Sequence, residues 1–229
     1  MIILSIDSCT EVISIALKNG QEITEKSFPS GKSYSENILP EITKLLSTCN
    51  LKINNVDAIA FGSGPGSFTG IRIACGLAYG IAYANNLPII GVNTLEALAL
   101  LSKKEFAISC VDARMDQIYL GIYQNLNGLI TPLIEPGLFN PSELPKLPEI
   151  NKAIIIGSGL NLYKRKFDAQ YGNISLSYFT DECSLAASIG ILSETKFGKE
   201  FDLKNAAPTY IRNKVAQTTK ERLSKNNGK

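Results

Sequence analysis

Histidine is absent from all 229 residues. That absence removes Ser-His-Asp and Cys-His nucleophile arrangements, histidine-ligated zinc and imidazole acid–base catalysis together. Any chemistry is left to carboxylates, lysine, tyrosine, serine and backbone amides. An excess of one charge is missing too. The formal net charge is +2, so no global field argues for nucleic acid or a membrane surface. Charged residues make up 19% of the chain, below the roughly 25% of an average globular protein. A well-buried core, or a surface that expects a partner, accounts for such a composition. No C-x-x-C pair occurs among Cys9, Cys49, Cys75, Cys110 and Cys183, and most of these sit in apolar runs. They are expected to be reduced core thiols of a cytosolic protein.

The opening Met1-Ile-Ile-Leu-Ser-Ile-Asp7 lacks the basic segment of a signal peptide. Residues 73–95 carry no charge and approach the ~20 residues of a membrane span. Asn85, Asn86, Pro88 and glycines interrupt that stretch, so a helix followed by a buried strand is predicted instead. The length suits one large domain or two small lobes.

Residues 2–6, 12–17 and about 22–28 read as a three-strand meander, with Asn19-Gly20 as a hairpin turn and Asp7 in the first turn. Ser33-x-x-Glu36 has capping-box spacing and predicts a helix from near residue 33. Ile38, Leu39, Ile42, Leu45, Leu46 and Cys49 continue it at helical spacing. Pro40 should kink that helix or mark its effective first turn. A strand at 56–61, the loop Gly62-Ser-Gly-Pro-Gly-Ser-Phe-Thr-Gly70, a helix at 69–85, a strand at 89–92 and a helix at 94–101 follow. Strand, loop, helix and strand form a βαβ unit, which implies parallel strands.

Lys103-Lys-Glu105 is the first charged break and sets the expected division: an N-terminal lobe 1–104, a C-terminal lobe 105–204, and a return segment with a basic tail 205–229. The second lobe reads as strands at 106–111, 118–123 and 129–134. A proline-rich loop and edge follows at 132–148, then a strand at 153–156 ending in Gly157-Ser-Gly159. Helices are expected at 160–167 and 183–196, and the tail after Arg212 is expected to fray. Both lobes open with strand, acidic turn and strand, at Asp7 and at Asp112, which hints at a duplication.

Three constellations could carry chemistry. The glycine loop exposes amides beside a helix N-terminus, a ready anion site. It lacks the Gly-Lys-Ser/Thr of a P-loop, and position six is Ser67 from Gly62 or Thr69 from Gly64, so G-x-G-x-x-G fails as well. The other reading is a tight turn that brings a small-residue helix close to the sheet. In that helix Gly76, Gly80 and Ala84 form one row and Ala74, Ala78 and Ala82 another. Interior helical glycines cost about 1 kcal/mol each relative to alanine, so a close contact should compensate, from within the fold or from a partner chain. Finally, Asp7 could hold a metal-bridged phosphate or simply accept turn amides, and Asp112 with Arg114 sits in a similar turn.

Taken together, five segments are similar to the TsaB family of bacterial tRNA-modification proteins. They are Ile6-Asp-Ser-Cys-Thr10, Phe61-Gly-Ser-Gly-Pro-Gly-Ser-Phe-Thr-Gly-Ile-Arg72, Gly91-Val-Asn-Thr-Leu-Glu96, Asp112-Ala-Arg-Met-Asp-Gln-Ile-Tyr119 and Tyr210-Ile-Arg-Asn-Lys-Val215. The likeness runs from Met1 to about Ala216. It implies a two-lobed actin-like (ribonuclease H-like) α/β fold, each lobe a mixed sheet with flanking helices. It further implies a non-catalytic cytoplasmic subunit acting with a TsaD-like catalytic subunit and a TsaE-like ATPase. That assembly transfers threonylcarbamoyl from threonylcarbamoyl-AMP to N6 of the adenosine next to the anticodon in tRNA, which this chain meets through the complex. The catalytic relative carries a His-x-x-x-His metal site where this chain has Thr94 and Leu98, neither of which replaces imidazole. Metal and ATP or ADP are therefore expected in the partners, with no cofactor here.

The likeness places the partner face on the two helices at 33–49 and 69–85, with Leu39, Ile42, Leu46, Arg72, Gly76, Leu77, Gly80 and Tyr83 as its side chains. The same face could also pair two copies of the isolated chain, and the sequence leaves monomer and homodimer open. Asp7, Ser8, Thr10, Gly64, Gly66, Asp112, Arg114, Gly157 and Gly159 mark a nucleotide cleft, vestigial on this reading. The alternative is an active actin-like ATPase or phosphotransferase using that cleft; a serine or lysine peptidase finds little support without histidine.

Overall fold

The computed structural model describes residues 1–29, 37–197 and 207–212. The first half contains β1 (Ile2–Asp7), β2 (Val12–Asn19), β3 (Glu22–Pro29), α1 (Ile38–Thr48), β4 (Ala58–Gly64), α2 (Phe68–Asn85), β5 (Ile89–Asn93) and α3 (Thr94–Leu101). The second contains β6 (Phe106–Asp112), β7 (Ile118–Leu126), β8 (Leu129–Phe139), β9 (Lys152–Ile156), α4 (Gly159–Tyr171), β10 (Ser175–Phe179) and α5 (Ala186–Lys196).

The first five strands make one sheet, in the order β3-β2-β1-β4-β5. The next five make another, β8-β7-β6-β9-β10. The two orders are the same when counted from the start of each half. In both, the first three strands pair antiparallel and the last two join parallel to the first. The fold is thus a two-lobed, actin-like α/β architecture, and the repeat hinted at by Asp7 and Asp112 is a repeat of topology. Each aspartate is the last residue of the first strand of its sheet.

Local chemistry explains the elements. β1 and β4 read as near-continuous apolar runs because both are central strands covered on two faces. β3, at the sheet edge, is mostly exposed and carries charges. Gly20, with φ +59°, closes the β2–β3 hairpin. In α1, Ile38, Ile42, Leu45 and Leu46 are buried, a spacing that packs one face. Pro40 falls in its first turn, where a missing N–H breaks no helical bond. The Ser33–Glu36 capping box lies outside the described residues.

Several expectations need correction. Gly62, Ser63 and Gly64 are not loop: they extend β4, and Gly62 and Gly64 pair with Val92 and Asn93. The connection is only Pro65, Gly66 and Ser67, and Gly70 lies inside α2. Residues 132–139 continue β8 rather than a loop; this edge strand tolerates Pro132 and Pro136 through bulged pairing with β7. β10 had no counterpart in the sequence reading. Its five residues alternate without burying a full face, which leaves little periodic signal. The last helix begins at Ala186, not residue 183.

The larger surprise is where two helices go. α3, read as part of the first lobe, packs chiefly on β6 and β7, whereas α5, from the second half, packs on β1 and β2. One core therefore joins the sheets: Ile3, Ala60 and Val92 meet Leu95, Leu98, Val111, Ile156, Ile189 and Leu192 in a single cluster. Polar contacts seat α5 as well. Ser14 Oγ accepts from the amides of Leu185 and Ala186 at 3.2 and 3.0 Å, and Glu25 Oε1 accepts from Ala187 N at 2.9 Å. Buried Lys18 pairs with Glu194 at 2.7 Å.

Candidate functional site

The turn after β1 and the turn after β4 are built into one another. Ser8 Oγ donates to the Gly70 carbonyl at 2.6 Å, the Ser67 amide donates to the Cys9 carbonyl at 2.8 Å, and Cys9 Sγ donates to Gly62 O at 3.1 Å. Ser67 caps α2 by accepting from Gly70 N. Three glycines permit this approach, and a Cβ on Gly66 would stand 2.2 Å from Cys9 O. A Cβ on Gly70 would stand 1.7 Å from Ser8 O, and one on Gly62 would stand 2.1 Å from Asp7 Oδ1. The glycine stretch thus seats a helix against the first sheet, and the sheet-side row of that helix, Ala74, Ala78 and Ala82, is fully buried.

Asp7 is enclosed by this construction. Its Oδ1 accepts from Cys9 N at 3.3 Å, while Oδ2 has no partner among the described residues. Burial pushes its pKa up to about 6. The Cys9 thiol is pushed well upward by its own burial and, secondarily, by Asp7, so it is not an activated nucleophile.

A cleft of about 610 Å³ lies between the lobes, walled by residues 9–11, Pro65–Thr69, Asp112–Met115, Tyr119, Ser158 and Thr209–Arg212. Of the cleft residues expected from sequence, Thr10, Gly66, Asp112 and Arg114 line it. Arg114 closes a turn on Asp112: its amide donates to Asp112 Oδ1 at 2.8 Å and its guanidinium pairs with Oδ2 at 3.1 Å. Asp7 and Ser8 are buried and do not line the cleft. Gly157 borders a smaller hollow beside Thr10 and Glu11, and Gly159 packs on Ile118. Gly64 lies against Ile71 and the Thr209 carbonyl. Sequence reasoning missed Phe68, Tyr119 and the return segment at Thr209 as walls. Only the Tyr210-Ile-Arg212 motif could have flagged the last of these.

Asp7, the carboxylate that a metal-bridged nucleotide would use, is not among the residues lining the cleft. The first-strand carboxylate that would have to reach the phosphates is covered by Gly62 and Cys9 and does not open into the cleft.

The outer row of α2 is different in kind. Arg72, Gly76, Tyr79, Gly80, Tyr83 and Ala84 are exposed. A Cβ on Gly76 or Gly80 would meet nothing within 4 Å among the described residues. Tyr79 and Tyr83 stack at 6.2 Å with their planes 6° apart, and Tyr83 is 69% exposed. On α1, Leu39 is half exposed, but Ile42 and Leu46 are 4% and 5% exposed and belong to the first lobe's core. Leu77 is partly buried against that same core. These three therefore leave the list of outward-facing residues. Thr94 and Leu98 are both fully buried.

Comparison with known proteins agrees with this architecture. A family model described as "TsaD: tRNA N6-adenosine threonylcarbamoyltransferase" matches residues 28–219. The Escherichia coli "tRNA threonylcarbamoyladenosine biosynthesis protein TsaB" is 30% identical over 236 aligned positions, covering 94% of this chain and 96% of that protein. The Haemophilus influenzae protein of the same name is 39% identical over 121 residues, about half (51%) of each chain. The Bacillus subtilis one is 31% identical over 177 residues, covering 75% of this chain and 77% of its own. Among solved structures, "YeaZ from Pseudomonas aeruginosa" superposes with a TM-score of 0.80 at 26% identity, over 91% of this chain and 99% of that one. With such coverage at both ends of the comparison, this chain belongs to the TsaB family of tRNA threonylcarbamoyladenosine biosynthesis proteins.

Proposed function

We propose that this chain is a scaffold subunit in the synthesis of N6-threonylcarbamoyladenosine on tRNA, inert by itself and needed by a TsaD-type catalytic subunit. The observation that carries this reading is the open glycine and tyrosine row on α2. Two interior helical glycines are costly, and among the described residues no neighbour approaches Gly76 or Gly80 to offset them. A second helix packed close against that row would supply the compensating contact, and exposed Tyr79, Tyr83 and Leu39 would flank it. A related subunit built on the same topology offers such a helix.

Two further points support a division of labour. Thr94 and Leu98, fully buried, present no ligand to a metal. Asp7, enclosed with a raised pKa, is poorly placed to bridge a metal to phosphate. Metal, ATP and the transfer from threonylcarbamoyl-AMP then belong to the TsaD-like and TsaE-like partners, in the cytoplasm. Without them, the same α2 face pairs two copies of this chain.

Reconstitution of tRNA modification with and without this chain tests the proposal. Modification should require it; full activity in its absence would overturn the scaffold role.

A further inference from the structure

We infer that Thr209–Arg212 is a latch: a short piece of this chain that lines the cleft, ties its two other walls together, and is read from the outer face of α2 through Arg72. On the first-lobe wall, Thr209 N donates to Ser63 O at 2.7 Å, and the two hydroxyls, Thr209 Oγ1 and Ser63 Oγ, lie 3.2 Å apart. The segment thereby continues hydrogen bonding from the end of β4. On the second-lobe wall, Arg212 Nη2 donates to Arg114 O at 3.2 Å and to Gln117 Oε1, while Nη1 lies 3.1 Å from Met115 Sδ. A planar fork is suited to several acceptors held at fixed positions.

The turn that receives Arg212 is itself unusual. Arg114, Met115 and Asp116 have φ of +60, +56 and +57°, a left-handed run that side chains disfavour. Arg114 O, the acceptor for Arg212, also accepts from Gln117 N at 3.1 Å. The latch thus grips a strained turn at a carbonyl that helps to hold it closed.

On the first-lobe side, Tyr210 joins a ring and cation stack at the start of α2. The Tyr210 ring is 6.4 Å from that of Phe68, and the Arg72 guanidinium sits 3.3 Å from the Phe68 centroid and 5.3 Å from that of Tyr210. Arg72 therefore belongs both to the latch and to the exposed row of α2. Whatever takes Arg72 from outside loosens the latch, and an open latch alters the affinity of that face by the same factor. This last consequence rests on the partner-face reading above; the latch itself does not.

Residue-resolved amide hydrogen exchange on the full chain tests both. Thr209 N–H should exchange slowly, and Arg212→Ala and Tyr210→Ala should each speed it roughly tenfold, with β1 amides unchanged as the check on folding. Arg72→Ala should act in the same direction. The latch is refuted if Thr209 exchanges at the rate of an unstructured amide in the unaltered chain, or is unmoved by the first two substitutions. Coupling to α2 is refuted if Arg72→Ala leaves Thr209 untouched. Co-purification with a TsaD-type subunit is scored separately: no complex beside a protected Thr209 would sink the partner face and leave the latch standing.

Discussion

Gly70 and Ser8 are in contact through their backbones: a Cβ at residue 70 would lie 1.7 Å from Ser8 O, and Ser8 Oγ donates to Gly70 O at 2.6 Å. This contact fixes where α2 begins and how it leans on the sheet. Gly70→Ala should destabilise the chain by roughly 2–4 kcal/mol, because backbone meets backbone and neither side can yield easily. Gly76→Ala, with open space at its Cβ, should stabilise it by about 0.5–1 kcal/mol through helix propensity. Thermal melts of the two variants give opposite signs if α2 is seated as described.

Replacing Gly76 and Gly80 together by Leu fills the open row without touching the core. We expect a folded chain that no longer co-purifies with a TsaD-type subunit. Ile42→Ala and Leu46→Ala should instead cost about 2–5 kcal/mol of stability, since both side chains are buried within the lobe. An intact complex with the doubled leucine variant would remove α2 from the interface.

Asp7 gives stability a distinctive pH dependence. Its carboxyl is raised from 3.8 to about 6 by burial, so the folded state favours the protonated form. The resulting stability is fully present below about pH 4 and is lost as pH rises through 6; this one group changes stability by about 3 kcal/mol across that window. Asp7→Asn should flatten the corresponding part of the curve of unfolding free energy against pH. A curve identical to that of the unaltered chain would show that Asp7 does not titrate as described.

Ser14 on β2 caps α5 across the two halves of the chain, with amides of Leu185 and Ala186 at 3.2 and 3.0 Å from its oxygen. Ser14→Ala should cost about 1–2 kcal/mol, having left buried amides unpaired. Chemical denaturation should still show one transition, because the core cluster spans both sheets. Two separated transitions would mean that the lobes are independent.

Calorimetry with ATP and magnesium addresses the cleft. No micromolar binding is expected, given that Asp7 is walled in by Gly62 and Cys9. Binding at that level, abolished by Asp7→Ala, would restore the reading of an active actin-like nucleotide site.

Periodicity carried much of the fold. Long helices and central strands announce themselves through spacing, and the paired acidic turns at Asp7 and Asp112 pointed to a repeated topology that the matching sheet orders display. Short β10 escaped notice because five half-exposed residues at a sheet edge leave no firm pattern. The cleft was only partly legible. Thr10, Gly66, Asp112 and Arg114 line it, whereas Ser8 is spent on holding the helix and Asp7 is buried in its own turn.

By itself, the sequence determined the absence of imidazole chemistry, the βαβ unit and the two rows of small residues on α2, because composition and spacing are local properties; the two-lobed plan came from the family likeness. It could not rank those rows. Ala74, Ala78 and Ala82 face the sheet, and Gly76 and Gly80 face outward, only because Gly70 fixes the rotation of the helix against Ser8. Nor could it place α3 on the second sheet, α5 on the first, or Thr209–Arg212 across the cleft. Those choices depend on which apolar faces are left uncovered once both sheets have formed, a property of the assembled chain rather than of any one segment.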